Sequence, residues 1–228
     1  MDTSQSPAIF QGQRAAGYDT FVQAYIPYYQ STMAKIPWLL HKLLPAVDAP
    51  ILVAGCGTGA ELLEISERWP DWKLEGIDPS PDMIVQARQK LSGRPHLRLM
   101  EGYVHDLPEV ARYRAATLLL VLHFVPDDGA KLKLLQGLAS RMLPGAPLLI
   151  MDIFGSKEEL IKNLKILPLL LPPSVDQDQV EERLRILPER IQYIPEPRLQ
   201  ELLVESGFSP PQRFLQTAIY GGWVSIRK

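Results

Sequence analysis

Cysteine is nearly absent: the chain has a single one, Cys56. That excludes an intramolecular disulfide framework and fits a reducing compartment. Charge of one sign is lacking too: 24 basic against 26 acidic residues leave a formal net charge of -2. Such a balance gives no electrostatic case for a stable nucleic-acid partner. No apolar run reaches membrane-spanning length and no signal-peptide pattern opens the chain, so a cytoplasmic protein without a membrane partner is expected. The four histidines, His41, His96, His105 and His123, are too dispersed to suggest a metal site, and none is expected. A serine elbow, a kinase motif set and a phosphate-binding lysine motif are all missing. What remains is an ordinary globular composition, 46% hydrophobic and 22% charged over 228 residues. That is enough for one substantial core with an insertion.

The chain is organised around residues 50–61, PILVAGCGTGAE. A short apolar run enters three alternating glycines, Gly55, Gly57 and Gly59, and an amphipathic helical pattern follows at once. This is the pattern of a first parallel strand, a tight turn and a helix N-terminus, where a ligand can approach bare backbone. Spacing alone leaves the ligand open, since Gly55, Gly57 and Ala60, with Asp78 further on, also satisfy a dinucleotide fingerprint. Glu61, however, puts a carboxylate into the first helical turn, where it opposes a pyrophosphate. The third glycine also falls one place early for that loop. A ligand carrying a cation and an adenosine fits better. Cys56, inside the turn, reads as packing or ligand-facing backbone rather than a nucleophile.

Along the chain, the polar start up to residue 17 is expected to be disordered. Residues 18–44 read as two or three short helices interrupted at Pro27 and Pro37 and rich in large rings. Strands are expected at 51–54, 72–77, 97–101, 116–122 and 147–153, with helices at 58–68, 80–91 and 127–143 between them. The unalternating apolar run at 116–122 suits a strand buried on both faces. Residues 156–197 read as a leucine-rich, proline-broken helical insertion over the carboxyl face, acting as a lid or burying its leucines in a homodimer contact. A helix at 198–206 and two closely spaced, hence antiparallel, strands at 211–217 and 218–226 end the chain, with Gly221 and Gly222 as a bulge or close-approach point. The alternation predicts a parallel α/β sheet with a mixed edge. Gly55, Gly57, Gly59, Asp78, Asp106, His123 and Asp152 all fall at or just past strand carboxyl ends, where such sheets bind ligands.

Five segments carry a family resemblance in order: residues 54–59 (AGCGTG), 76–83 (GIDPSPDM), 102–108 (GYVHDLP), 120–127 (LVLHFVPD) and 141–146 (RMLPGA). Together they resemble the class I S-adenosylmethionine-dependent methyltransferases across roughly residues 52–153. The resemblance implies an α/β Rossmann-like class I methyltransferase fold: a seven-stranded mixed sheet with an antiparallel last strand beside the fifth, and helices on both faces. Residues 1–45 would be an amino-terminal helical cover and residues 46–228 the core, with a helical lid insertion at about 156–197. It implies S-adenosyl-L-methionine as cofactor. Gly55, Gly57 and Gly59 would admit its methionine and ribose portions, Asp78 would accept both ribose hydroxyls, and Asp106 would meet the adenine amino group with Leu107 beside it. Met83 and Ile77 would flank the base.

His123 is the candidate general base, with a packing role as the alternative. Tyr18, Tyr25, Tyr29 and Trp223 are candidate acceptor-binding rings. Two positions depart from the family pattern. Val53 stands where an acid commonly helps hold the methionine amino group, and Arg114 stands where an aspartate often introduces the fourth strand. Residues 18–21 and 25–27 near the start, and 207–208, 214–216 and 220–223 near the end, resemble the branch related to carboxy-S-adenosylmethionine synthase. The arginine which that synthase uses for its extra carboxylate is Leu202 here, with Arg198 one turn earlier. The expected function is methyl transfer to oxygen or nitrogen of a small-molecule acceptor. Methylation of a protein or RNA and non-catalytic binding of adenosylmethionine are the alternatives.

Overall fold

The computed structural model describes residues 12, 15, 17–44 and 46–228; the expected disordered start falls almost wholly outside them. Three short helices come first, α1 (Tyr18–Tyr25), α2 (Tyr29–Met33) and α3 (Ile36–Leu43). Pro27 lies in the break between the first two. Pro37 breaks nothing and stands in the first turn of α3, where its missing N–H goes unused. Then β1 (Ile51–Ala54), α4 (Ala60–Arg68), β2 (Leu74–Asp78), α5 (Pro81–Lys90), β3 (Leu97–Glu101), β4 (Ala115–Leu119), α6 (Ala130–Ala139) and β5 (Pro147–Ile153) alternate. The expected long fourth strand stops at Leu119, and residues 122–124 turn as a short 3-10 helix. The helix expected over 127–143 is shorter, because Gly129 at φ 104° forms its start.

The remaining elements are α7 (Lys157–Leu164), α8 (Gln177–Arg190), α9 (Glu196–Glu205), β6 (Gln212–Thr217) and β7 (Tyr220–Ile226). One seven-stranded sheet results, in the order β3-β2-β1-β4-β5-β7-β6. Neighbours from β3 to β5 are parallel. β7 runs antiparallel between β5 and β6. The bulge lies between Arg213 and Leu215 on β6, opposite Gly222, whose missing side chain makes room for the Phe214 ring.

Alternation in the central strands divides the core. Leu52, Ala54, Ala116, Leu118, Leu148 and Ile150 face α6 and α9 through Leu135, Leu138, Leu199 and Leu203. Ile51, Val53, Ala115 and Leu149 face α3, α4 and α5 through Leu40, Leu62, Ile65 and Ala87. A third cluster gathers Val22 of α1, Met33 of α2, Leu160 and Leu164 of α7, and Met151, Ile153 and Tyr220 of the sheet. The sequence start and the insertion therefore meet over the carboxyl end of β5. Each buried leucine, isoleucine, valine or methionine among them contributes about 1.5–3 kcal/mol through removal from water. Local signals set the helix starts. Ser80 Oγ accepts from the Met83 N–H at the head of α5, and Ser156 and Glu159 form a reciprocal capping box on α7.

Candidate functional site

A partly enclosed cavity opens beyond the carboxyl ends of β1, β2 and β4, where a parallel sheet leaves its crevice. Gly55, Gly57, Ile77, Asp78, Ser80, Met83, Gly102, Tyr103, Val121, Phe124 and Tyr18 are among its walls. Gly55 sits at φ 71°, and a Cβ there would stand 2.4 Å from Val121 Cγ2. Only glycine allows β1 to turn that tightly against the loop after β4. Gly59 is different. Its φ of 80° starts α4, and a Cβ would meet Leu91 and Ala87 of α5, so it serves helix packing rather than the cavity wall.

Asp78 closes β2 and faces the cavity. Its Oδ2 accepts from the Gly57 N–H at 2.9 Å and its Oδ1 from the Ser80 N–H at 2.9 Å. A carboxylate has about four acceptor positions, so each oxygen retains capacity for a ligand hydroxyl. Burial raises its pKa, and the two backbone N–H groups oppose that rise. Met83 is buried in the first turn of α5 against the same cavity.

The other acid lies elsewhere. Asp106, in the 3-10 turn Val104–Asp106, is exposed, and its Oδ2 accepts from the Tyr103 N–H at 2.8 Å. Tyr103, Gly102 and Val104 line the cavity; Asp106 does not. Leu107 is buried in the core cluster beneath them, outside the lining. Tyr103 could have been found from the sequence, since it follows Gly102 directly at a strand end.

Of the candidate acceptor rings, Tyr18 lines the cavity. Tyr29 packs nearby, and both phenol pKa values are raised, chiefly by burial, with Tyr18 adding to the rise at Tyr29. Tyr25 instead stacks on Phe21 at 4.8 Å, with the Arg183 guanidinium of α8 over both rings. Trp223 is fully buried in the sheet core, donating from Nε1 to Glu196 at 2.7 Å. The β7 alternation turns it away from the cavity. Asp19, Thr58 and Lys90 bind α1 to the glycine turn and α5: Thr58 Oγ1 donates to Asp19, and Lys90 Nζ donates to both. No spacing in the sequence announces this three-part clamp.

His123 is buried in the 3-10 turn after β4, its Nδ1 2.6 Å from Asp152 Oδ1. Asp152 also accepts from the Leu122 and Ile153 N–H groups. Three groups thus engage Asp152 at the carboxyl end of β5. The buried Lys131 amine donates to the carbonyls of Leu122, Val125 and Gln192, and burial lowers its pKa to about 8. His123 itself is not part of the cavity wall, whereas its neighbour Phe124 is. Among the described residues no group of histidine, cysteine and acidic side chains could hold a metal.

Residues 51–145 match the methyltransferase domain family. Over 123 residues the chain is 29% identical to a trans-aconitate 2-methyltransferase of Pseudomonas aeruginosa, covering 54% of this chain and 42% of that protein. Over 90 residues it is 34% identical to a carboxy-S-adenosyl-L-methionine synthase of Campylobacter fetus, covering 40% and 37%. The chain thus spans less than half the length of these curated relatives. The magnesium protoporphyrin IX methyltransferase of Synechocystis, solved with bound SAH, superposes with a TM-score of 0.66 at 19% identity, over 97% of both chains. Human N-acetylserotonin methyltransferase in complex with SAM gives 0.68 at 19% identity, over 99% of this chain and 59% of that one. These likenesses establish the fold.

Proposed function

We propose that the protein is an S-adenosylmethionine-dependent methyltransferase that methylates an oxygen or nitrogen of a small-molecule acceptor, a reading supported by the methyltransferase-domain match over residues 51–145. The observation that carries the reading is Asp78: a carboxylate at the end of β2, held by two backbone N–H groups and open to the cavity. Its remaining acceptor positions suit a ribose diol. Gly55 and Gly57 leave backbone exposed for the amino-acid portion, and Met83 and Ile77 offer apolar walls for the base. The cofactor, when bound, supplies a sulfonium methyl group that is already electrophilic. The protein's part is to orient the acceptor in line and to exclude water.

Tyr18, Phe124 and Val125 provide rings and apolar surface for that acceptor. The amino-terminal helices and α7 meet in one cluster over β5, which suits a cover and a lid. The position matching the carboxylate-binding arginine of the carboxy-transfer branch, Leu202, is fully buried in the core. Arg198 is held at the surface by Asp127 and Glu201. Both facts weigh against a carboxylated cofactor.

Asp152 is acceptor-only, so the His123 proton resides on Nδ1 and Nε2 is the basic nitrogen. Because the ring lies behind the wall, we assign His123 to positioning Phe124 and the turn rather than to proton removal. His123→Gln should then raise KM and lower thermal stability while kcat at saturation stays within about fivefold. A loss of about 100-fold in kcat with unchanged KM would make it the base. The function itself is tested by calorimetry with adenosylmethionine and with nicotinamide dinucleotides, followed by a metabolite screen for formation of adenosylhomocysteine. Tight dinucleotide binding without adenosylmethionine binding would overturn the reading. Methylation of intact protein or RNA, with no small acceptor found, would overturn its acceptor class.

A further inference from the structure

Lys131 is a fully buried lysine whose amine is bound to the backbone of two separate segments. It lies in the first turn of α6 at 0% exposure. Its Nζ donates to the Leu122 carbonyl at 2.6 Å, the Val125 carbonyl at 2.5 Å and the Gln192 carbonyl at 2.6 Å. Three acceptors match the three N–H donors of an ammonium group. Two of them belong to the turn that follows β4, and the third belongs to the end of the insertion, past α8. Taking a lysine out of water is costly unless its donors are met, so a fully met set marks a connection that outweighs the cost.

Further bonds join the same two segments. The Gln192 N–H donates to the His123 carbonyl at 2.7 Å, so Gln192 grips the turn through both its donor and its acceptor. Arg198 of α9 reaches Asp127 with two bonds, at 2.9 and 3.2 Å. From the sheet side, Asp152 of β5 accepts from the Leu122 N–H and holds the His123 ring. The turn held in this way is a wall of the candidate site, since Val121, Phe124 and Val125 all line the cavity. The Val125 carbonyl links that wall to Lys131 directly. We propose that Lys131 is a positioning residue that joins the insertion to the cavity wall, so that the end of the insertion sets the surface enclosing the bound cofactor. This assignment rests on the adenosylmethionine reading above and names what holds that wall in place.

The charge on Lys131 makes the joint sensitive to pH. Burial lowers its pKa from 10.5 to about 8, against the opposing pull of Asp152 from β5 and Asp127 from the turn. Both carboxylates are themselves engaged, Asp152 by His123 and Asp127 by Arg198 of α9. A neutral amine has two N–H donors and a lone pair, so deprotonation leaves at least one of the three carbonyls without its donor. The joint is therefore complete below about pH 8 and loosens as pH rises through that value. Other groups around the cavity do not share this response: burial pushes the Cys56 thiol and the Tyr18 and Tyr103 phenols up, away from it.

The test uses 5′-methylthioadenosine, which has the adenosine and thioether of the cofactor without its amino acid, so no ligand group titrates between pH 7 and pH 9.5. Calorimetry on the wild type should show affinity falling about five- to tenfold across that interval, the scale of one lost hydrogen bond, with the fall beginning near pH 8. Lys131→Met keeps the length of the side chain without its charge. It should bind at pH 7 about as weakly as the wild type at pH 9.5, with no further change as pH rises. Hydrogen exchange at pH 7 should be faster in this variant at residues 121–127 and 190–194 together, and unchanged in β1 and β2. A lysine that only stabilised the fold would instead speed exchange across the whole sheet and leave the wild-type affinity level with pH, and either result overturns the assignment. So does a folded Lys131→Met that binds as the wild type does at pH 7. If the variant fails to fold, the wild-type pH profile decides. All of these outcomes leave the adenosylmethionine reading intact. Failure of the wild type to bind the nucleoside at pH 7 overturns that reading, and this assignment with it.

Discussion

The glycine turn and the loop after β3 both present acids toward the same end of the sheet, and the two regions treat them oppositely. At the turn, Glu61 and Asp78 are drawn into the protein; Glu61 has an unpaired oxygen, and Asp78 is held by the Gly57 and Ser80 N–H groups. Past β3, the Asp106 side chain is 54% exposed and secures its own turn through the Tyr103 N–H. A carboxylate taken from water retains its capacity for a ligand at full strength, whereas one in solvent has already spent it. Placement, rather than residue type or order along the chain, separates a candidate ligand-binding acid from a structural one.

The largest effect expected on the buried side is in stability. With its pKa raised from 4.5 to about 7, the Glu61 carboxyl is protonated in both states at low pH and ionised in both at high pH. Between those limits the folded protein holds the proton more tightly than the unfolded chain, so stability falls as pH rises from about 4.5 to about 7. At 1.36 kcal/mol per pKa unit, the loss is roughly 3 kcal/mol. Glu61→Gln should abolish that fall. Urea unfolding of the ligand-free protein at pH 5 and pH 8 measures it, and an identical pH dependence in the variant would show that Glu61 is better solvated than its surroundings indicate.

A slightly smaller effect is expected at Asp78. Asp78→Ala removes the acceptor for a ribose diol and for two backbone N–H groups, so adenosylhomocysteine binding should weaken by about 1.5–3 kcal/mol. Methylthioadenosine should weaken in parallel, since both ligands carry the ribose. A loss confined to adenosylhomocysteine would move Asp78 to the amino-acid end of the ligand.

The sequence disclosed the fold because local signals repeat it. The unalternating strands, the Ser80-Pro81 start of α5 and the short link between β6 and β7 each dictate their own element, and their order dictates the sheet. The site was legible where one turn builds it: Gly55, Gly57, Asp78 and Met83 meet at the cavity because β1, β2 and their turns deliver them there. It was illegible where distant segments cooperate. Asp152 partners His123 only because β4 and β5 are neighbours, and Asp19 reaches Thr58 and Lys90 only because α1 folds across the glycine turn. Trp223 had an attractive position at the chain's end, but the pleat of β7 directs it into the core. Glu61 could be read as a charge opposing a pyrophosphate, yet its burial depends on how α4 settles on β1 and β4.

The smallest effect should come from Asp106, and it bears most directly on the contrast between the two loops. In the structure its Oδ2 serves the Tyr103 N–H, and a Cβ at Gly102, which lies at φ 146°, would stand 2.9 Å from that oxygen. The carboxylate therefore shapes the bend that brings Gly102 and Tyr103 to the cavity, while standing outside it. Asp106→Ala removes a turn-capping acceptor and should cost about 0.5–1 kcal/mol of stability, as loss of a helix cap does. Affinity for adenosylhomocysteine should change by less than about twofold, and Asp106→Asn, which keeps an acceptor oxygen, should recover the stability. The alternative is that the loop rearranges on binding and swings the carboxylate onto the adenine amino group. Asp106→Ala would then weaken adenosylhomocysteine and methylthioadenosine alike by tenfold or more. Since an amide oxygen can still accept from an amino group, Asp106→Asn would preserve most of that affinity. Calorimetry on the two variants therefore separates a carboxylate that braces the wall from one that joins the ligand.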